Sequence, residues 1–182
     1  ERAWPGEDDP HDPGIAYAQQ KSESEKIILD TANRQGTLNR LAIVRLTKIL
    51  NVETPPIPGW LKAWAKREVI TPFADLIFAP MSVNFAAKGL AVFGEKRLVG
   101  NLHLSGAENV TYVDLAHVIA QKKGIDPALI KPTTATEKGV QIAFKPKYSG
   151  LGMTRTTALS GVTPQKLECV IDDLFLDSLP VR

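Results

Sequence analysis

The sequence IAYAQQKSESEKIILDTANRQGTLNRLAIVRL, residues 15–46, joins a helical segment to a short apolar segment. Residues 15–34 favour a helix, and Gly36 is a suitable residue to end it. Residues 41–46 form an apolar run of the length that buried strands have. A helix followed by a buried strand is the repeating unit of α/β sheet proteins, so this stretch predicts the fold class.

The rest of the chain continues this alternation. The sequence predicts helices at 60–66, 83–93 and 112–123, a strand at 101–105, and an extended segment at 74–81 interrupted by Pro80. Thr111 is a suitable N-cap for the third of these helices, and Gly124 is a suitable residue to end it. Residues 127–152 are mostly irregular, and a last helix is predicted to start with Thr163 as its cap and Pro164 at its first position.

The composition is that of one globular domain and excludes several classes of protein. The 182 residues are 43% hydrophobic and 23% charged, with a net charge of +2 that is too small to indicate a nucleic-acid or anionic-membrane partner. No apolar run approaches the roughly 18 residues of a membrane span. Cys169 is the only cysteine, which predicts a reducing, cytoplasmic location without an intrachain disulfide. The three histidines lack the spacing of metal ligands, so no metal site is predicted.

Tyr17 and Lys21 are the residues that point to chemistry. At positions i and i+4 of a helix, their side chains project from one face. An ammonium beside a phenol stabilises the phenolate, and such a tyrosine can pass a proton to a carbonyl oxygen while a nicotinamide delivers hydride. Chance gives roughly 0.2 such pairs in a chain of this composition, so the spacing needs support from its neighbours.

Those neighbours resemble the extended short-chain dehydrogenase/reductases, which act largely on nucleotide sugars. In that family an acidic, proline-containing loop precedes the active-site Tyr-x-x-x-Lys, and a Glu lies four residues after the Lys. Residues 7–13 resemble that loop, and Glu25 lies four residues after Lys21. Residues 42–50, 73–80, 100–106 and 112–116 match later family segments in the same order. The stretch KPKYSGL, residues 145–151, is similar to the Arg-Pro…Ser…Leu signature of the dTDP-4-dehydrorhamnose reductase-like (sugar-nucleotide-binding) branch, with Lys145 replacing the Arg.

The resemblance implies an α/β fold, the C-terminal portion of a Rossmann-like parallel sheet with a small substrate-binding lobe. The family's glycine-rich phosphate-binding loop and the Ser or Thr that partners the tyrosine do not occur in these residues. We therefore expect residues 1–182 to be a single incomplete NAD(P)-binding domain that lacks its N-terminal glycine-rich half and is inactive alone.

For the intact protein, the resemblance implies an NAD(P)-dependent reductase of a keto-sugar nucleotide. Tyr17 would be the general acid/base, supported by Lys21, and both would contact NAD or NADP together with Leu46. The residues expected to bind substrate are Thr47, Lys48, Phe73, Asp75 and Pro80. A nucleotide-sugar epimerase and a non-catalytic, NAD(P)-binding regulatory subunit remain as alternatives, and a homodimer is an open alternative for the assembly.

Overall fold

The helix and strand of the opening stretch are both present in the computed structural model, which describes residues 3–176. Helix α1 spans Ala16–Arg34 and strand β1 spans Ala42–Leu46. Gly36 turns the chain between them with φ +66°, a left-handed conformation that glycine adopts without steric cost. The predicted helix–strand unit is confirmed.

The remaining elements continue the alternation of helices and strands. The helices are α2 (Ile57–Ala65), α3 (Val83–Glu95), α4 (Tyr112–Lys123), α5 (Thr154–Ser160) and α6 (Leu167–Leu174). The strands are β2 (Lys48–Leu50), β3 (Ile77–Phe78), β4 (Pro80–Ser82), β5 (Gly100–Leu104) and β6 (Val110–Thr111). A search of the described helices finds none with the length and apolar character to cross a membrane.

The strands of the described residues form three pairs, of which two are parallel. Strand β1 pairs in parallel with β5, so that Ala42 lies opposite Gly100 and Leu46 opposite Leu104. Strands β2 and β4 also pair in parallel, whereas the short β3 and β6 pair antiparallel. The carboxyl ends of β1 and β5 therefore lie side by side, at the edge where open α/β sheets bind their ligands.

Two hydrophobic clusters divide the interior. One packs α3 against the β1–β5 pair and includes Phe93, Leu102 and Leu104. The larger cluster joins α2, α4 and α6 and includes Trp60 and Trp64, whose ring centroids are 6.2 Å apart. The α/β fold thus consists of a sheet portion and a lobe with its own core.

Local signals correctly predicted α4 but placed other helix ends wrongly. Thr111 and Asp114 form a capping box, and Gly124 follows the helix in a left-handed conformation. The prediction for α2 was three residues late, because a proline at the second helical position is compatible with a helix start. The extended segment is broken at Ala79, directly before Pro80, into β3 and β4, which pair with different strands. Pro80 is the first residue of β4, a position where strands tolerate proline.

The last helix begins at Leu167, so the predicted start at Thr163 and Pro164 is wrong. The cause is Gln165, whose backbone is extended beside the residues that follow β5. Its N–H donates to the Ser105 carbonyl at 3.1 Å. Its side-chain oxygen also accepts from the backbone N–H of Ser82 at 2.8 Å. These contacts to distant residues hold the segment extended and delay the helix.

Candidate active site

Tyr17 and Lys21 lie one turn apart near the start of α1, and their side chains project from the same side. The Lys21 ammonium lies 5.6 Å from the centroid of the Tyr17 ring. Glu25 follows one further turn along the helix. Because positions i, i+4 and i+8 drift only slowly around a helix, these three residues form one stripe.

Contact between Glu25 and Arg45 shows which way that stripe faces. Arg45 Nη2 donates to Glu25 Oε2 at 2.8 Å, and Arg45 Nε donates to Oε1 at 3.0 Å. Such a bidentate pair fixes distance and orientation together. Arg45 is the last but one residue of β1, so the stripe faces the sheet near the carboxyl end of that strand.

The order of the elements indicates where Tyr17 lies relative to the strand. The chain leaves α1 at Arg34 and enters β1 at Ala42, and a helix joined to the next strand by a short connection generally runs back along it. Tyr17 precedes Glu25 by eight residues, a rise of roughly 12 Å along the axis. From the Glu25–Arg45 contact, this geometry leads us to expect Tyr17 beyond the carboxyl edge of β1, where open α/β sheets bind their ligands.

This edge is open in the described part of the chain. Tyr17 is 66% exposed. Within residues 3–176, β1 has a strand partner on the β5 side alone, and Ala32 is the one residue of α1 that is buried. Ile27 and Ile28 of α1 are exposed by 56% and 47%. The surface around Tyr17 is thus exposed and partly apolar in the described residues.

Three other predicted site residues lie at the same carboxyl edge. Leu46 ends β1 and is 41% exposed, and Lys48 begins β2 and is also exposed. Thr47 lies between them, where its backbone N–H donates to the Leu104 carbonyl at 3.1 Å and its hydroxyl accepts from Gly106 N–H at 3.2 Å. The structure brings these residues together at the end of β1, with Thr47 held rigidly.

Phe73 and Asp75 belong to the lobe. Phe73 lines an apolar cavity of about 250 Å³ together with Trp60 and Tyr112. Asp75 forms an ion pair with Lys145 and accepts from the Ala135 N–H at 3.0 Å. The hydrogen bond from Lys145 is the main cause that holds the pKa of Asp75 below its usual value.

Pro80 is fully buried where it begins β4. Its side chain therefore shapes the backbone of this segment and offers no surface to a ligand in this structure. Hydrogen bonds to a ligand would therefore come from the polar residues of the site.

Sequence reasoning missed a polar cluster on the α1 side of the sheet. Arg45 and His103 lie opposite each other on β1 and β5, and both line a cavity of about 530 Å³ with His11. Burial lowers the pKa of His103, although the hydrogen bond to the Gly152 carbonyl opposes this effect. A charged residue inside the apolar run 41–46 was the signal that could have revealed the cluster.

Two carboxylates of this region remain ionised to lower pH than usual. Burial acts to raise the pKa of Glu25, but hydrogen bonding and the charge of Arg45 outweigh it, and the pKa is lowered. Burial likewise opposes ionisation of Glu7, but hydrogen bonds, led by that from the Thr156 N–H, lower its pKa. Glu7 thereby ties the loop before α1 to helix α5.

Comparison with known proteins identifies a family. A family model described as the RmlD substrate binding domain matches residues 1–178. No curated protein sequence matches the chain.

Solved structures show the same fold. A dTDP-4-dehydrorhamnose reductase from Bacillus anthracis in complex with NADP superposes with a TM-score of 0.77 at 20% identity, covering 96% of this chain and 59% of that one. A reductase of the same kind from Clostridium acetobutylicum gives 0.76 at 20% identity, covering 98% and 61%. A dTDP-glucose 4,6-dehydratase from Bacillus anthracis in complex with NAD gives 0.73 at 15% identity, covering 97% and 57%.

The chain thus spans 57% to 61% of the length of these three proteins. Their likeness confirms the predicted α/β, Rossmann-like fold.

Proposed function

The chain belongs to the RmlD substrate binding domain family, and we propose that it is the C-terminal part of an NAD(P)-dependent reductase of keto-sugar nucleotides. The observation that carries this proposal is the placement of Tyr17 and Lys21. They share one side of α1, and the Glu25–Arg45 ion pair one and two turns further along that helix supports a position near the carboxyl end of β1, where Leu46 and Thr47 lie.

The residues present are compatible with a nicotinamide cofactor at this edge. Leu46 offers an exposed apolar surface at the end of β1, and the Lys21 ammonium can donate hydrogen bonds to ribose hydroxyls. When bound, the reduced cofactor supplies a hydride to the keto carbon of the sugar.

Tyr17 supplies the proton that this reduction also requires. As the hydride adds to the carbon, the carbonyl oxygen gains negative charge and takes the proton from the Tyr17 hydroxyl. The resulting phenolate is stabilised by the positive charge of Lys21. Lys48, an exposed cation at the start of β2, would meet a phosphate of the nucleotide sugar.

We propose that residues 1–182 lack an N-terminal half with the glycine-rich loop, and that this half covers the open edge of β1. Parallel strands added beside β1 would bury the apolar surface that α1 leaves exposed, which supports this proposal. The single cysteine, Cys169, is free and exposed, which fits a reducing, cytoplasmic location.

Two experiments test the proposal. Calorimetric titration with NADH and NADPH should show tight binding by the longer protein and weak or no binding by the 182-residue chain. The longer protein should also consume NAD(P)H with one of a panel of keto-sugar nucleotides.

Different outcomes would favour the alternatives. Interconversion of epimers without net cofactor consumption would indicate an epimerase. Cofactor binding without turnover of any nucleotide sugar, together with a stable protein partner, would indicate a regulatory subunit. Micromolar binding of NADH by the 182-residue chain alone would contradict the missing cofactor half.

A further inference from the structure

Helix α1 has little apolar packing against the rest of the described chain for its length. It has 19 residues, of which Ala32 is the one that is buried among residues 3–176. Its polar contacts are stronger: Glu25 binds Arg45, and Ser22 Oγ lies 2.7 Å from His11 Nδ1. Polar contacts must therefore determine how the first half of the helix is oriented.

Arg45 is the centre of these contacts, and each of its three guanidinium nitrogens lies within hydrogen-bond distance of a partner. Nε and Nη2 donate to the Glu25 carboxylate at 3.0 and 2.8 Å. Nη2 also lies 2.5 Å from His11 Nε2, which is itself 3.3 Å from Glu25 Oε2. Nη1 donates to the Glu7 carbonyl at 3.4 Å and to His103 Nε2 at 3.3 Å.

The hydrogen bonds of His103 define which of its ring nitrogens carries the proton. Arginine cannot accept a hydrogen bond, so His103 Nε2 accepts from Arg45. The proton then lies on Nδ1, which donates to the Gly152 carbonyl at 2.8 Å.

The Arg45 guanidinium lines the cavity of about 530 Å³, but its short hydrogen bonds are made to Glu25, within the protein. Its neighbours come from three segments: the loop before α1, helix α1 itself and strand β5. These contacts join the segments that flank Tyr17.

We infer that Arg45 is a positioning residue that holds Tyr17 and Lys21 at the carboxyl edge of the sheet, an inference that rests on the proposed reductase function. Arg45 contacts the chain on both sides of Tyr17, at His11, six residues before the tyrosine, and at Glu25, eight residues after it. Lysine cannot replace it, because a single ammonium lacks the planar fork that reaches all these acceptors.

The test uses Arg45→Lys, with Arg40→Lys as a control that makes the same change at an exposed residue just before β1. In the 182-residue chain, hydrogen exchange of the amides of residues 19–25 should become at least about tenfold faster in Arg45→Lys, as expected for local opening. Arg40→Lys should exchange like the original chain.

In the longer protein, kcat should fall by about 10- to 100-fold in Arg45→Lys, since a displacement of about 1 Å at a reacting group has such an effect. This is measured well below the unfolding temperature of every variant, so that a loss of stability alone does not lower kcat. The KM for the sugar nucleotide should change by less than about threefold, as for a group that acts on the transition state.

His11 provides a second test that spares the buried strand. The side-chain amide of His11→Gln offers both an acceptor for Arg45 and a donor for Glu25, whereas His11→Ala offers neither. The Gln variant should therefore keep more of kcat than the Ala variant.

Unchanged exchange in Arg45→Lys, or altered exchange with an unchanged kcat, would overturn the inference. If the longer protein turns over no keto-sugar nucleotide, the proposed function fails, and the exchange measurement still decides whether Arg45 holds α1.

Discussion

Gly106 lies just beyond the carboxyl end of β5, and its replacement by alanine should strongly destabilise the protein. A Cβ at this position would lie 2.1 Å from the carbonyl oxygen of Pro80 and 2.9 Å from its carbonyl carbon. Contact between a carbon and a carbonyl oxygen requires about 3.3 Å, so the two backbones would have to separate by roughly 1 Å. Pro80 is fully buried and paired with β2, which prevents an easy shift.

The cost follows from this geometry. Overpacking a core typically costs about 1–3 kcal/mol and occasionally more, and a clash between two backbones belongs at the upper end. We expect Gly106→Ala to lower the free energy of unfolding by at least about 3 kcal/mol, which moves the urea midpoint down by roughly 1–3 M. Equilibrium urea unfolding, followed by tryptophan fluorescence, measures this shift.

The control is Gly59→Ala, at a position within α2 where no atom lies within 4 Å of the added methyl group. Helical alanine in place of glycine should raise stability by about 0.5–1 kcal/mol. If the free energy of unfolding of Gly106→Ala lies within about 0.5 kcal/mol of the original value, the close approach of Pro80 and Gly106 on which this reasoning depends is refuted.

Two further predictions concern buried polar groups. Glu7 accepts hydrogen bonds from the Thr156 N–H and hydroxyl at 2.8 and 2.9 Å, so Glu7→Gln should cost about 1–3 kcal/mol near neutral pH. Because the pKa of Glu7 is lower in the folded protein, its charge contributes fully to the free energy of unfolding above the unfolded pKa, and this contribution is lost as the pH falls through the folded pKa. Urea unfolding between about pH 7 and pH 3 should therefore show the stability difference between the original chain and Glu7→Gln shrinking toward acid. Trp64 Nε1 is buried without a hydrogen-bond partner among the described residues, so Trp64→Phe should cost about 1 kcal/mol less than Trp60→Phe; an equal or larger cost in the same assay would contradict this.

Elements defined by neighbouring residues were predictable from the sequence. The helix at 15–34 with Gly36 after it, and the capping box of Thr111 and Asp114, depend on contacts within a few residues. Helix α5 was not predicted, because its TRTTALS sequence has weak helix propensity. It is held in part by Glu7, which is 149 residues away from Thr156.

The candidate site shows the same division. The spacing of Tyr17 and Lys21 predicts a shared helix face, because that relation is local. The network of Arg45 is not local, since it joins residues on a loop, a helix and two strands that are distant in sequence. Only the fold brings its members together.

The central claim is that Tyr17 is the proton donor, and the most direct test is the kcat of Tyr17→Phe in the longer protein with its keto-sugar nucleotide. The change removes one hydroxyl from an exposed side chain, so folding and cofactor affinity should persist. Loss of a general acid typically lowers turnover by about 10²- to 10⁴-fold, and we expect that loss here, with KM changing less. A Tyr17→Phe protein that reduces the keto sugar at the original rate would show that Tyr17 is not the acid.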